Sequence, residues 1–183
     1  MIRVRPATQV DLPVITEIYN EAILSTPSTF DTEPKSLDDR RAWFALHGGL
    51  YPVLVADQDG LILGWASLSR LSNRPGWRYS VEDSVYVRAP HRGKGVGKAL
   101  LERLVAEARR LGHHALIARI VSCNQSSVRL HERFGFQTVG TWREVGWKFD
   151  SWLDLLVMEL IFDPGQPPTR DLPVVPHDSQ ESH

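Results

Sequence analysis

The stretch Val81 to Leu101, VEDSVYVRAPHRGKGVGKALL, joins an apolar strand to an amphipathic helix through a basic, glycine-rich turn. Val81, Val85, Tyr86 and Val87 favour an extended, half-buried strand, and Pro90 ends it because proline has no N–H to give a ladder. Gly93, Gly95 and Gly97 then allow a tight turn with no side chain in the way, so that successive N–H groups can converge on one anion. A helix opening at Val96 adds the positive end of its dipole at the same place, and Arg92, Lys94 and Lys98 add full charges around it. The combination suits a pyrophosphate, although glycines serving only to reverse a solvated basic chain would leave the same trace.

Two glycine motifs do not fit this turn. A Walker loop would need glycine where Arg92 stands and Ser or Thr where Ala99 stands. A dinucleotide fingerprint beginning at Gly93 would need Gly or Ala in place of Lys98. What remains is Arg92-x-x-Gly95-x-Gly97 behind a strand that ends in Val85-Tyr86-Val87.

Outward from this stretch, hydrophobic periodicity gives the rest of the chain. Upstream, Ile2–Arg5 reads as a strand, and Thr8 with Asp11 opens a helix whose apolar positions, Leu12, Ile15, Ile18, Ala22 and Ile23, recur at helical spacing. Ser25–Pro34 is a loop whose one large apolar residue is Phe30. A second helix spans about Ser36–His47 and stops at Gly48-Gly49. Pro52–Ala56 and Leu61–Leu68 flank an Asp-Gln-Asp-Gly turn and form a hairpin, and Ser69–Arg78 is irregular. Downstream, Val96, Leu100, Leu104, Ala108 and Leu111 stripe a helix closed by Gly112. Ala115–Val121 is a strand, Asn124 caps a helix that ends at Gly135, and Thr138–Glu144 and Trp152–Phe162 are the last strands. The order β-α-α-β-β-β-α-β-α-β-β defines an α/β (α+β) class with a mixed sheet and helices on both faces. Residues 1–162 make one domain, and 163–183, with five prolines, read as a mobile or surface-lying tail.

Composition narrows the function. A chain of 183 residues, 42% apolar and 23% charged, is large enough for one real core. A net charge of −1 lacks the broad basic field that nucleic-acid binding needs, so the cluster at 91–98 suits a small anion. The single cysteine, Cys123, excludes an internal disulfide and a thiolate-rich metal site. With no apolar N-terminal segment and no long apolar run, the expectation is a cytoplasmic enzyme with no membrane, nucleic-acid or metal partner.

Two residues stand out for chemistry. On the strand ending at Val87, alternation puts Glu82 with Ser80, Ser84 and Tyr86, and Asp83 with Val81 and Val85, so one carboxylate conflicts with an apolar row. A bulge would relieve the conflict and would aim Glu82 at the anion turn as a general base; a solvated carboxylate is the plainer alternative. His131 shares a helical face with Ser127 and Phe134, which points it inward, as a satisfied core residue or as a proton carrier. Cys123 has no base assigned to it and reads as a small buried hydrophobe. His47, His113 and His114 fall at helix ends or turns and read as capping or solvated.

The glycine turn resembles the coenzyme A loop of the GNAT superfamily of N-acetyltransferases. Further motifs narrow the likeness: Thr32-Glu33-Pro34, Tyr51-Pro-Val-Leu-Val55, Val81-Glu82-x-Ser84-Val85-Tyr86-Val87, Asn124-x-x-Ser127-Val128-Arg129-Leu130-His131-Glu132-x-x-Gly135-Phe136 and Trp152-x-Asp154. Together, from Ile2 to about Phe162, they resemble the phosphinothricin and methionine sulfoximine acetyltransferases, the branch that carries histidine at position 131 where most of the superfamily has tyrosine.

That resemblance implies the GNAT fold, a mixed and mostly antiparallel central sheet of about seven strands. It implies transfer of acetyl from acetyl-CoA to the α-amino group of a small amino acid or analogue by direct attack in a ternary complex, with herbicide resistance as one outcome. Glu82 would be the base, acting directly or through water, and His131 would assist proton transfer or orientation. Val85, Tyr86 and Val87 would pair with the pantetheine arm. Arg92, Gly93, Lys94, Gly95, Val96, Gly97 and Lys98 would hold the pyrophosphate, and Asn124 would contact the coenzyme. Phe30 and the loop of Pro75, Gly76, Trp77 and Arg78 would line the acceptor pocket, with an arginine free for a substrate carboxylate, and the protein would be a homodimer. Many relatives have histidine in place of Asp83, and residues 69–78 are the least alike. The rival readings are acetylation of a polyamine or a protein N-terminus, and a coenzyme A-binding sensor without catalysis.

Overall fold

The computed structural model describes residues 1–174, so the rest of the proline-rich tail lies outside the described residues. Seven strands form one sheet: β1 Arg3–Pro6, β2 Val53–Gln58, β3 Leu61–Arg70, β4 Ser80–Val87, β5 Ala115–Val121, β6 Gln137–Lys148 and β7 Ser151–Ile161. The helices are α1 Leu12–Ser25, α2 Leu37–Ala45, α3 Val96–Leu111 and α4 Gln125–Arg133. The strand order is β1-β2-β3-β4-β5-β7-β6. Every neighbouring pair is antiparallel except β4 with β5, which is parallel because α3 carries the chain across between them.

Each face of the sheet has its own core. Val96, Leu100, Leu104 and Ala108 of α3 and Val128 of α4 pack on Leu54, Leu63, Leu68, Val81 and Leu116. On the other face Leu12, Ile15 and Ile18 of α1 meet Val53, Val55, Ile62 and Trp65. Each fully buried Leu or Ile contributes about 1.5–3 kcal/mol. The predicted stripe of α3 is the buried one, and Gly112 closes the helix at φ +86°. Ser36 caps α2 by accepting from the Asp39 amide while the Asp39 carboxylate accepts from the Ser36 amide. β6 is longer than the sequence reading has it, and β7 keeps its length one residue earlier, the two pairing from Gln137↔Glu159 to Lys148↔Ser151.

The expected bulge in β4 is not there. The β3–β4 register runs unbroken from Gly64↔Val87 to Arg70↔Val81. The conflict in the alternation is met chemically instead, because Asp83 faces inward and pairs with His131. Beyond β7, residues 163–174 lie along the surface: Leu172 is buried, and the Arg170 stem crosses Gly112, where a Cβ would fall 2.6 Å from its methylenes. His113, expected to cap or to be solvated, is buried, with Nε2 2.8 Å from the Leu50 carbonyl.

Candidate active site

The parallel pairing of β4 and β5 covers only Ser80↔Ala115, Val81↔Leu116 and Glu82↔Ile117. Past Glu82 the two strands part, although β4 continues to Val87 and β5 to Val121. The edge of Asp83–Val87 that faces the split is therefore without a strand partner on that side, an opening that an extended amide chain would fill as an added strand. At the end of the split stands the glycine turn. Gly93 and Gly95 have φ of +73° and +87°, and Gly95 leads directly into α3. The first intrahelical bond runs from the Ala99 amide to Gly95 O, so the amides before it point out of the helix N-terminus. The whole is a cleft of about 1010 Å³.

Arg92, Gly93, Gly95, Gly97 and Lys98 line this cleft, as do Val85, Tyr86, Val87 and Asn124. Val96 does not, because its side chain is 1% exposed in the core, and Lys94 is exposed beside the turn rather than on the cleft wall. Arg92 is already engaged, donating from Nε to Val87 O at 2.9 Å and from Nη2 to Glu21 at 3.0 Å. Asn124 caps α4 by accepting from the Ser127 amide and turns its amide nitrogen towards Ser28 at 3.4 Å. Cys123, expected to be buried, is exposed and lines the cleft.

Glu82 and Asp83 face opposite sides of β4. Glu82, 19% exposed, is held in a two-pronged ion pair by Arg119 of β5: Arg119 Nε donates to Glu82 Oε1 at 2.7 Å, and Nη2 donates to Oε2. That bond raises the Arg119 guanidinium above its ordinary range. Asp83 and His131 are 2% and 3% exposed, with Nε2 3.0 Å from Asp83 Oδ2. The other ring nitrogen, Nδ1, lies 2.8 Å from the Ser127 carbonyl. The Ser127 carbonyl can only accept, so Nδ1 carries a proton, and Nε2 faces the Asp83 carboxyl. Burial pulls the His131 pKa down, but the Asp83 hydrogen bond and charge and the Ser127 carbonyl carry it above the ordinary histidine value. His131 lines the cleft beside Glu82 and Asp83 with both ring nitrogens engaged, and Asp83 Oδ1 is buried with no hydrogen-bond partner among the described residues.

The loop after α1 closes the opposite wall. Tyr19 Oη donates to Asp31 at 2.8 Å, and Lys148, 5% exposed, donates from Nζ to Thr29 O at 2.8 Å. Burial holds that lysine below its usual pKa. Phe30 lines the cleft and packs over Gly146, where a Cβ would fall 2.4 Å from the ring. The single chain does not bring Pro75, Gly76, Trp77 and Arg78 to this cleft. Arg78 lies over the Tyr79 ring and reaches Asp171, which draws the loop towards the C-terminal segment. Sequence reasoning missed Arg119 and the pairing of Asp83. Each left a signal: a charge in an otherwise apolar row, Ala115-x-Ile117-x-Arg119 and Val81-x-Asp83-x-Val85.

A split in a sheet that leads to a helix N-terminus, with a carboxylate at its fork, is shaped to hold an extended anionic ligand beside a small second one. Residues 15–136 match the acetyltransferase (GNAT) family. The chain belongs to that family and is an N-acetyltransferase. It is 44% identical to an L-methionine sulfoximine/L-methionine sulfone acetyltransferase of Salmonella typhimurium, over 87% of this chain and 94% of the relative. It is 40% identical to a phosphinothricin N-acetyltransferase of Streptomyces coelicolor, over 84% and 92%. Among solved structures, a GNAT superfamily phosphinothricin acetyltransferase from Sinorhizobium meliloti in complex with acetyl-CoA superposes with a TM-score of 0.87 at 37% identity, covering 92% of this chain and 93% of that one.

Proposed function

We propose that this protein moves an acetyl group from acetyl-CoA to the α-amino group of a small amino acid or analogue, methionine sulfoximine, methionine sulfone and phosphinothricin being the candidates its relatives suggest. The observation that carries the reading is the parting of β4 and β5 directly after Glu82. One carboxylate stands where the ligand in the split meets the second ligand.

Acetyl-CoA, when bound, supplies an acetyl group already activated as a thioester. The residues present fit it. The open edge from Asp83 to Val87 offers backbone groups to a pantetheine amide, the amides at Gly93–Lys98 face a pyrophosphate, and Lys98 adds charge. Glu82 takes a proton from the acceptor ammonium, which makes the nitrogen a nucleophile within the ternary complex. On the other face of β4, His131 holds a proton at Nε2 against Asp83 Oδ2, and the open Asp83 Oδ1 is the point from which that reserve faces the cleft. Tyr19, Thr29 and Phe30 close the acceptor side against water.

The proposal extends to a homodimer. β6 is an edge strand, and the β6–β7 ribbon exposes Val139, Trp142, Trp147, Phe149 and Trp152, each more than half accessible, a patch that a monomer rarely leaves open. The acyl-transfer reading is tested by following thiol release from acetyl-CoA with methionine sulfoximine, methionine sulfone, phosphinothricin, the common amino acids and spermidine. Turnover confined to the amino-acid analogues is the expected result, and release with spermidine alone would overturn it.

A further inference from the structure

The Glu82–Arg119 pair poses a difficulty for a base. Both carboxylate oxygens of Glu82 are taken by one guanidinium, while a base needs an oxygen turned to its substrate. Arg119 uses only Nε and Nη2 in this pair; its Nη1 has no acceptor among the described residues, and its side chain is 43% exposed on the cleft wall. One edge of the fork is therefore filled and the adjacent edge, Nη1 with Nη2, is open. That open edge has the spacing of a carboxylate.

Resting on the acyl-transfer reading above, we infer that Arg119 receives the α-carboxylate of the acceptor and in doing so frees Glu82 to act on the α-amine. An α-amino acid is itself a cation and an anion separated by one carbon, so it is the complement of Glu82 and Arg119 side by side. A carboxylate that docks on Nη1 and on the second N–H of Nη2 shares the guanidinium charge with Glu82 and so weakens the pair that now holds both Glu82 oxygens. The loosened Glu82 carboxylate then turns to the ammonium attached to the same carbon. The base becomes available when the correct substrate arrives, whereas an amine without a carboxylate leaves Glu82 engaged. Arg78, the arginine of the loop expected to line the pocket, is turned away to Asp171 and Tyr79. Arg119 instead lies directly against the base.

The test compares L-methionine sulfone with 3-(methylsulfonyl)propylamine, the same molecule without its carboxyl group. The wild-type protein is expected to prefer the amino acid by about a hundredfold in kcat/KM, with the R119A change raising KM for the sulfone about thirtyfold, as loss of a charge-assisted pair implies. With the propylamine, R119A should raise kcat, because Glu82 is no longer held. R119K should recover part of the preference through charge without the fork. Calorimetric titration of the sulfone into protein saturated with coenzyme A gives a second readout, in which R119A weakens the sulfone and leaves coenzyme binding as it was. Equal losses of kcat on both acceptors would make Arg119 a support for Glu82 only and would overturn the inference, as would an unaltered preference in R119A. If the wild-type protein acetylates no α-amino acid at all, the acyl-transfer reading fails and takes this inference with it.

Discussion

Adjacent in sequence, Glu82 and Asp83 meet different partners because β4 turns them to opposite faces. Glu82 meets a half-exposed arginine that a ligand can engage, and Asp83 meets the buried His131 ring. Glu82→Gln is expected to lower kcat by about 10²–10⁴-fold while coenzyme A still binds, as read by calorimetry. An unchanged kcat would remove Glu82 from the role of base. His131→Leu leaves the Asp83 charge buried and unpaired, at a cost of about 3–5 kcal/mol in chemical denaturation. The pair also fixes a pH dependence. His131 titrates above its unfolded value, so its contribution to stability is complete below about pH 6.5 and is lost as pH rises through the higher folded value. Thermal midpoints across pH 6 to 9 should fall more steeply in the wild-type protein than in Asp83→Asn.

At the scale of elements, the strand, turn and helix of residues 81–101 were legible because each rests on local chemistry: β-branched residues, glycines with positive φ and a 3.6-residue stripe. The partner strand in the split was less so. Arg119 sits in a strand whose bounds the sequence shows in full, yet only the register with β4 brings it to Glu82, and register is a long-range property. The same is true of the loop at 75–78, whose position depends on Asp171, far along the chain. The start of α3 allows stability and ligand binding to be separated. A Cβ on Gly97 would meet Leu130 at 3.4 Å, an ordinary contact, and the residue lies on the cleft. Gly97→Ala should therefore hold or raise stability, by up to about 1 kcal/mol from helix propensity, and weaken coenzyme A. Gly64→Ala is the contrary case. Its Cβ would sit 2.6 Å from Tyr86 O, so it should destabilise the sheet, as a lower denaturation midpoint would record.

For the molecule as a whole, the bare β6–β7 ribbon leads to an expected assembly: sedimentation should give a dimer, and Trp142→Asp with Trp152→Asp should give a folded monomer. A monomeric wild-type protein would end the homodimer reading. The split sheet reaches further than catalysis. A ligand that fills it binds the folded chain and not the unfolded one, and so adds about 2.7 kcal/mol to stability at a hundredfold excess over its Kd. The opening that makes room for the acetyl donor also ties the protein's stability to the ligand that fills it. With acetyl-CoA above its Kd the open edge is filled and the folded chain gains that margin, and without the ligand the same chain is easier to unfold.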